Sequence, residues 1–165
     1  MRIEVLDETG RFRRRERLAR VLRRVAAVVP HARPRGGVEP EVTVVLVDDA
    51  TIAERNRSDR GVAGPTDVLA YPLQEPDDAG FPRVPHLGDV VISLDTARRQ
   101  ARARGRPAWH EVAVLASHGL LHLVGLDHRT TREWAPFETL QALAEAEAEA
   151  VDRSAAAARS LRSLA

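Results

Sequence analysis

The stretch SHGLLHLVGLDH, Ser117 to His128, contains His118, His122 and His128, three of the six histidines in the chain. On a helix, residues four apart lie on one face a turn apart, so His118 and His122 can direct both imidazoles at one ion. A third ligand from the next turn would crowd that pair. Gly125 supplies a chain reversal that returns His128 over them instead. Three imidazoles leave at least one coordination position open for water, which is the catalytic rather than the structural pattern for zinc. A single histidine on an apolar helix is usually a satisfied core group. Two at this spacing and a third after a glycine turn are not, because each buried ring needs a partner. Asp127 reads either as an outer acceptor that orients an imidazole or as a turn residue after Gly125. Three imidazoles also accept nickel, copper or cobalt, so the spacing alone does not choose the metal.

The same spacing occurs in metzincin proteases, where the residue after the first histidine is a glutamate that acts as general base. Here that residue is Gly119. It has no side chain to take a proton from water, and a metallopeptidase is disfavoured on that ground.

The chain has 165 residues, the size of one ordinary domain, and no cysteine, which excludes disulfides and thiolate ligands. No apolar run approaches the roughly 18 residues of a membrane span. No secretory signal is visible at the start, so the expectation is a cytoplasmic protein that does not engage membranes. Net charge is +1, and all 25 basic residues are arginine. Arginine makes bidentate bonds to phosphate, so the composition permits nucleic-acid binding without arguing for it.

The elements that must position the histidines follow from periodicity. RIEVLD alternates as a short strand, and VTVVLVDD is apolar throughout, as in a strand covered on both faces. Between them, Leu18, Val21, Leu22, Val25, Val28 and Val29 mark an amphipathic helix ended by Pro30, followed by a Pro/Gly loop. A short helix from about Thr51 to Arg57 has Asp49 or Thr51 as candidate cap. GPTDVLAYP and DVVISLD read as two further strands. The acidic, Pro-rich stretch Leu73 to Gly88 between them reads as an exposed excursion. A basic helix runs through ARRQARARG. Ala108 to Val124 is apolar on nearly every side, as in a buried central helix. A last helix starts after Thr130 or Thr131. The predicted fold is α/β (α+β): a central mixed four-stranded sheet packed with helices, with the buried helix carrying the metal ligands. Residues 1–150 form the single domain. The Ala/Arg-rich tail from 151 to 165 is expected to fray or be disordered, because large apolar residues are few there.

HGLLHLVGLDH resembles the signature of the YbeY family of metal-dependent endoribonucleases, H-G-x-L-H-L-x-G-Y-D-H, with Leu126 in place of tyrosine. Upstream, RNRSDRGVAGPTDVLAYP is similar to the family segment through Asn56, Arg60, Gly61, Thr66, Asp67, Val68 and Leu69. HLGDVVIS matches through Leu87, Gly88 and Asp89, and HEVAVLASHG fits the lead-in to the histidines. The departures are Ala70 and Tyr71 for Ser-Phe, Phe137 where methionine is common, and the Ala/Glu-rich tail. The resemblance implies that His118, His122 and His128 bind one zinc ion and that Arg60 takes part in RNA cleavage or binding. Asp89, at a strand start after a glycine, reads either as a residue that positions water or substrate or as a turn residue. The implied activity is zinc-dependent cleavage of single-stranded RNA in maturation of the 16S ribosomal RNA 3′ end and in ribosome quality control. The implied partners are the small ribosomal subunit and its proteins, not DNA. The general base is left to metal-activated water, to Asp89 or to the ribose 2′-OH.

The arginine runs RFRRRER and RRQARARGR read as solvated helical faces or as a groove for the RNA backbone. Aromatic residues are scarce, so the expected intrinsic sequence preference is modest. A rival expectation is a non-catalytic ribosome-associated factor whose zinc is structural.

Overall fold

Four strands, β1 (Arg2–Asp7), β2 (Glu41–Val47), β3 (Val68–Pro72) and β4 (His86–Ser93), form one sheet in the order β1-β2-β4-β3. The computed structural model describes residues 1–29, 39–73, 85–128 and 130–162. β1 pairs parallel with β2 and β2 with β4, while β3 returns antiparallel along β4. This is the mixed α/β sheet expected from the sequence. Pro30 with its Pro/Gly loop, and most of the acidic excursion, lie outside the described residues.

Five helices are described: α1 (Arg15–Ala26), α2 (Asp49–Arg60), α3 (Leu94–Ala103), α4 (Ala108–Leu123) and α5 (Thr131–Arg162). β2 is continuously apolar from Val44 to Val47, as in a strand covered on both faces. Val42, Val44 and Leu46 join the main core with α1, α4 and α5, and Val45 and Val47 meet Ile52 of α2. β4 divides by the same alternation, Val90 and Ile92 to the main core and Val91 to the α2 side.

The helix ends follow local chemistry. Asp48, one residue before the expected cap, caps α2 by accepting from Thr51 N at 2.9 Å. Asp49 is occupied elsewhere, receiving Ser93 Oγ, Thr96 Oγ1 and Arg99 Nη1 and so tying α2 to the β4–α3 junction. Gly125, at φ 83°, ends α4. Its N–H donates to the His122 carbonyl and that of Leu126 to the Leu121 carbonyl, both at 3.0 Å, the paired bonds of a Schellman stop.

α5 differs from the frayed tail expected from residue 151, since it is helical through Arg162. Small residues dock it: Ala144, Ala148 and Val151 are buried in the main core. Asp152 then receives Arg14 Nη1, Arg17 Nη1 and Trp109 Nε1 at 2.9–3.1 Å, and His110 Nε2 lies 3.0 Å from it. Side chains too small to announce a core still allow the helix to approach α1 and α4 closely.

Candidate metal centre

The buried helix α4 and the reversal at its end bring His118, His122 and His128 together, all half-buried. Nε2 of His118 lies 3.2 Å from Nε2 of His122 and 3.3 Å from Nε2 of His128. Two nitrogens bound tetrahedrally at about 2.0–2.1 Å to zinc stand roughly 3.3 Å apart, so the rings are spaced as ligands of one ion. Phe137, fully buried, closes the apolar side with its ring centroid 4.6–5.0 Å from all three imidazoles. Trp134 stands against His128 at 4.1 Å. Burial, and then repulsion from His122 and His128, lowers the His118 pKa to about 4, while Asp67 acts the other way. Burial, and then His128, lowers that of His122. Both rings are therefore neutral near pH 7 and present lone pairs, which is the state that binds metal.

Gly119 is explained by packing. It faces the sheet, where an added Cβ would lie 2.9 Å from Val90 Cγ2 and closer still to Cγ1. Any side chain there would strike β4.

Arg60 closes α2 before Gly61 and reaches around the free edge of β3, where Nη2 donates to the Ala70 carbonyl at 3.2 Å. It lines the same cleft, of about 360 Å³, as His118, His122, Gly125 and Asp127. The structure thus brings together residues from α2, β3, α4 and the turn after it. Asp89 is not among them. It follows the parity opposite to Val90, on the α2 side of the sheet, and its Oδ1 lies 3.0 Å from His86 Nε2.

A sequence model of the endoribonuclease YbeY family matches residues 3–148 of the chain. The chain belongs to the YbeY family. It is 57% identical to endoribonuclease YbeY of Deinococcus radiodurans over 93 residues, which span 56% of this chain and 59% of that protein. The endoribonuclease YbeY of Moorella thermoacetica is 45% identical over 133 residues, spanning 76% of this chain and 83% of the relative. The fold is similar to the solution structure of TM1509 from Thermotoga maritima, with a TM-score of 0.59 and 25% identity over 90% of this chain and 92% of that one. Family membership puts the chain among nucleases.

The donor set fits the metal that the YbeY signature implies, by its convergent nitrogens and by the neutral rings of His118 and His122. Sequence reasoning missed Gln141, whose amide nitrogen lies 3.0 Å from His118 Nδ1. Turned over, that amide accepts the Nδ1–H that His118 must carry when Nε2 holds a metal. Asp127, the acid proposed for the orienting role, instead accepts from the His128 backbone N–H at 2.8 Å and lines the cleft.

Proposed function

We propose that this YbeY-family chain is a zinc-dependent endoribonuclease that cuts single-stranded RNA in the cytoplasm. Its role in this reading is maturation of the 16S ribosomal RNA 3′ end and ribosome quality control, with the small subunit and its proteins as partners. Residues 1–150 are the catalytic domain, and α5 is tied to it as far as Val151 and Asp152. The observation that carries the reading is the Arg60 guanidinium, held by the Ala70 carbonyl, in one cleft with two of the three convergent imidazoles, His118 and His122.

When bound by the three histidines, zinc supplies Lewis acidity to a phosphoryl oxygen and to water. Phosphodiester cleavage builds negative charge on the non-bridging and leaving oxygens. Arg60, steadied through one nitrogen by Ala70, keeps its other N–H groups for that charge. Asp127 is the acid of the cleft among the described residues, and its carboxylate is our assignment for the group that takes up the proton. The two arginine runs supply a backbone site at another groove, of about 330 Å³, lined by Arg11, Arg13, Arg14 and Arg98, with Arg14 over the Trp109 ring.

The test is cleavage of a labelled single-stranded RNA after chelation and after zinc add-back, with the duplex as control. Activity should vanish with chelator, return with zinc and favour the single strand. Arg60→Ala should lower kcat by about 10²–10³-fold. Undiminished cleavage by His118→Ala, purified free of contaminating nuclease, would sink the proposal.

A further inference from the structure

Two bonds tie the end of α2 to β3. Arg60 Nη2 donates to the Ala70 carbonyl at 3.2 Å, and Tyr71 Oη donates to Asp59 Oδ2 at 2.7 Å. Asp59 and Arg60 are consecutive at the close of α2, and Ala70 and Tyr71 are consecutive in β3, so two neighbours clasp two neighbours. The bonds are unequal. That of Arg60 is long for an N–H donor and comes from the tip of a flexible side chain. That of Tyr71 is short, is made to a charged acceptor and comes from a stiff ring. The ring is itself anchored, since it packs against Val45, Val47, Ile52, Leu69 and Val91 on the α2 side of the sheet.

Asp59 keeps its charge for this bond. Hydrogen bonds from Ser58 and then from Tyr71 hold its pKa below the usual carboxylate value. Burial, and then Asp59, pushes the Tyr71 pKa up to about 12, so the phenol remains a donor throughout the neutral range. Each Asp59 oxygen is met by a hydroxyl, Oδ1 by that of Ser58 at 2.6 Å and Oδ2 by that of Tyr71. No carboxylate among the described residues stands at ion-pair distance from Arg60, so its charge is left for the cleft that it lines.

We propose that Tyr71 and Asp59 are positioning residues for Arg60: their bond sets the last turn of α2 against β3 and so aims the guanidinium into the histidine cleft. The proposal rests on the endoribonuclease reading for the role of Arg60. Neither Tyr71 nor Asp59 contacts the substrate, so the contribution of both should vanish where Arg60 is absent.

The experiment uses zinc-loaded full-length protein and a labelled single-stranded RNA. Tyr71→Phe keeps the ring in its core and removes only the hydroxyl. It should lower kcat by roughly 3–10-fold, the value of one hydrogen bond, and change KM by less than about two-fold. Asp59→Ala should lose as much. Asp59→Asn keeps an oxygen acceptor for the phenol and should recover most of that loss. Added to Arg60→Ala, Tyr71→Phe should change kcat by less than about two-fold, whereas a bond that served stability alone would cost the same in both backgrounds. Thermal melting reports whether each variant folds, and the two Asp59 variants carry the comparison if Tyr71→Phe does not. An independent reading is NMR relaxation at Arg60 Nε–H in protein without RNA, which should be ordered in the wild type and mobile in Tyr71→Phe or Asp59→Ala. Unchanged kcat in both Tyr71→Phe and Asp59→Ala, an equal loss in the Arg60→Ala background, or an unchanged Arg60 Nε–H overturns the proposal. Wild-type protein that cleaves no RNA defeats the nuclease reading instead, while the relaxation measurement still decides whether the bond holds Arg60.

Discussion

Alanine at position 119 probes how tightly the ligand helix is seated on the sheet. In an unobstructed helix, Gly→Ala favours folding by about 1 kcal/mol. Here the new methyl would overlap both Cγ atoms of Val90, which is 0% exposed and has no solvent into which to turn. Overpacking a filled interior costs roughly 1–3 kcal/mol, and two contacts on a fixed side chain argue for the upper end. The net is a loss of about 2 kcal/mol, or roughly 4–8 °C in Tm for a chain of this size. Val90→Ala alone should cost about 2–3 kcal/mol by deleting buried methyls. In the double variant the methyl at 119 enters the space those methyls leave, so the two changes should couple favourably by about 2 kcal/mol. The assay is equilibrium urea unfolding of the four proteins in chelator, so that metal binding does not enter the comparison. Gly119→Ala as stable as wild type, or single changes that add within about 0.5 kcal/mol, would refute the packing account. By the same reasoning Gly119→Glu should fail to fold rather than gain a protease base.

Gln141→Leu removes the outer hydrogen bond to His118 and should weaken zinc binding by about 10–100-fold, measured by competition with a chromophoric chelator. Unchanged affinity would dismiss that role. Asp152→Ala deprives Trp109 Nε1 and buried His110 of their acceptor and should destabilise the fold by about 1–3 kcal/mol in urea. No effect would mean that the end of α5 is not needed to secure α1 and α4. Burial pushes the Asp49 carboxyl up, but hydrogen bonds from Arg99, Ser93 and Thr96 outweigh it and bring the pKa from its ordinary 3.8 down to about 2. The unfolded chain therefore takes up this proton first, so the stability from Asp49 is complete above about pH 4 and lost as pH falls toward 2. Asp49→Asn should be less stable at pH 7 and lose less between pH 4 and pH 2, as followed by urea midpoints. A parallel acid limb would contradict the assignment.

The histidine cluster was legible because its determinants are local: an i,i+4 pair on an apolar helix and a glycine that ends it. The strands were legible for the same reason, each being a short run with its own alternation or β-branched content. Asp89 was not, because β4 is covered on both faces near its end. Only the seating of Val90 against Gly119 decides that Asp89 turns the other way. Gln141 lies 23 residues from His118, and only the packing of α5 on α4 joins them. The docking of α5 through Ala144 and Ala148 was hidden by size, since alanines close to a neighbouring helix look in sequence like alanines in a solvated one. Asp49 was a reasonable cap by type, but its carboxylate is drawn to Ser93, Thr96 and Arg99 across the fold, and the preceding aspartate takes its place.

The histidine spacing on its own serves a peptidase as well as a nuclease, and residue 119 divides the two through geometry as much as through chemistry. With α4 seated on β4, a side chain at 119 would strike Val90, so that position has no room for a carboxylate. In the function proposed above, proton transfer and charge stabilisation fall to the wall of the cleft built by the end of α2, the edge of β3 and the turn that carries Asp127. That wall presents a guanidinium. A peptide carbonyl becoming tetrahedral develops a single oxyanion, which one metal can stabilise. A phosphodiester already carries a charge and gains more on several oxygens, and a cation fixed beside the metal answers that need. Arg60 reaches this position only by passing around β3, and Ala70, whose carbonyl holds it, lies in the antiparallel ladder opposite Val90. The same pair of strands therefore seats the histidine helix on one side and the arginine on the other, and any shift of β3 along β4 would change the distance between the guanidinium and the three histidines.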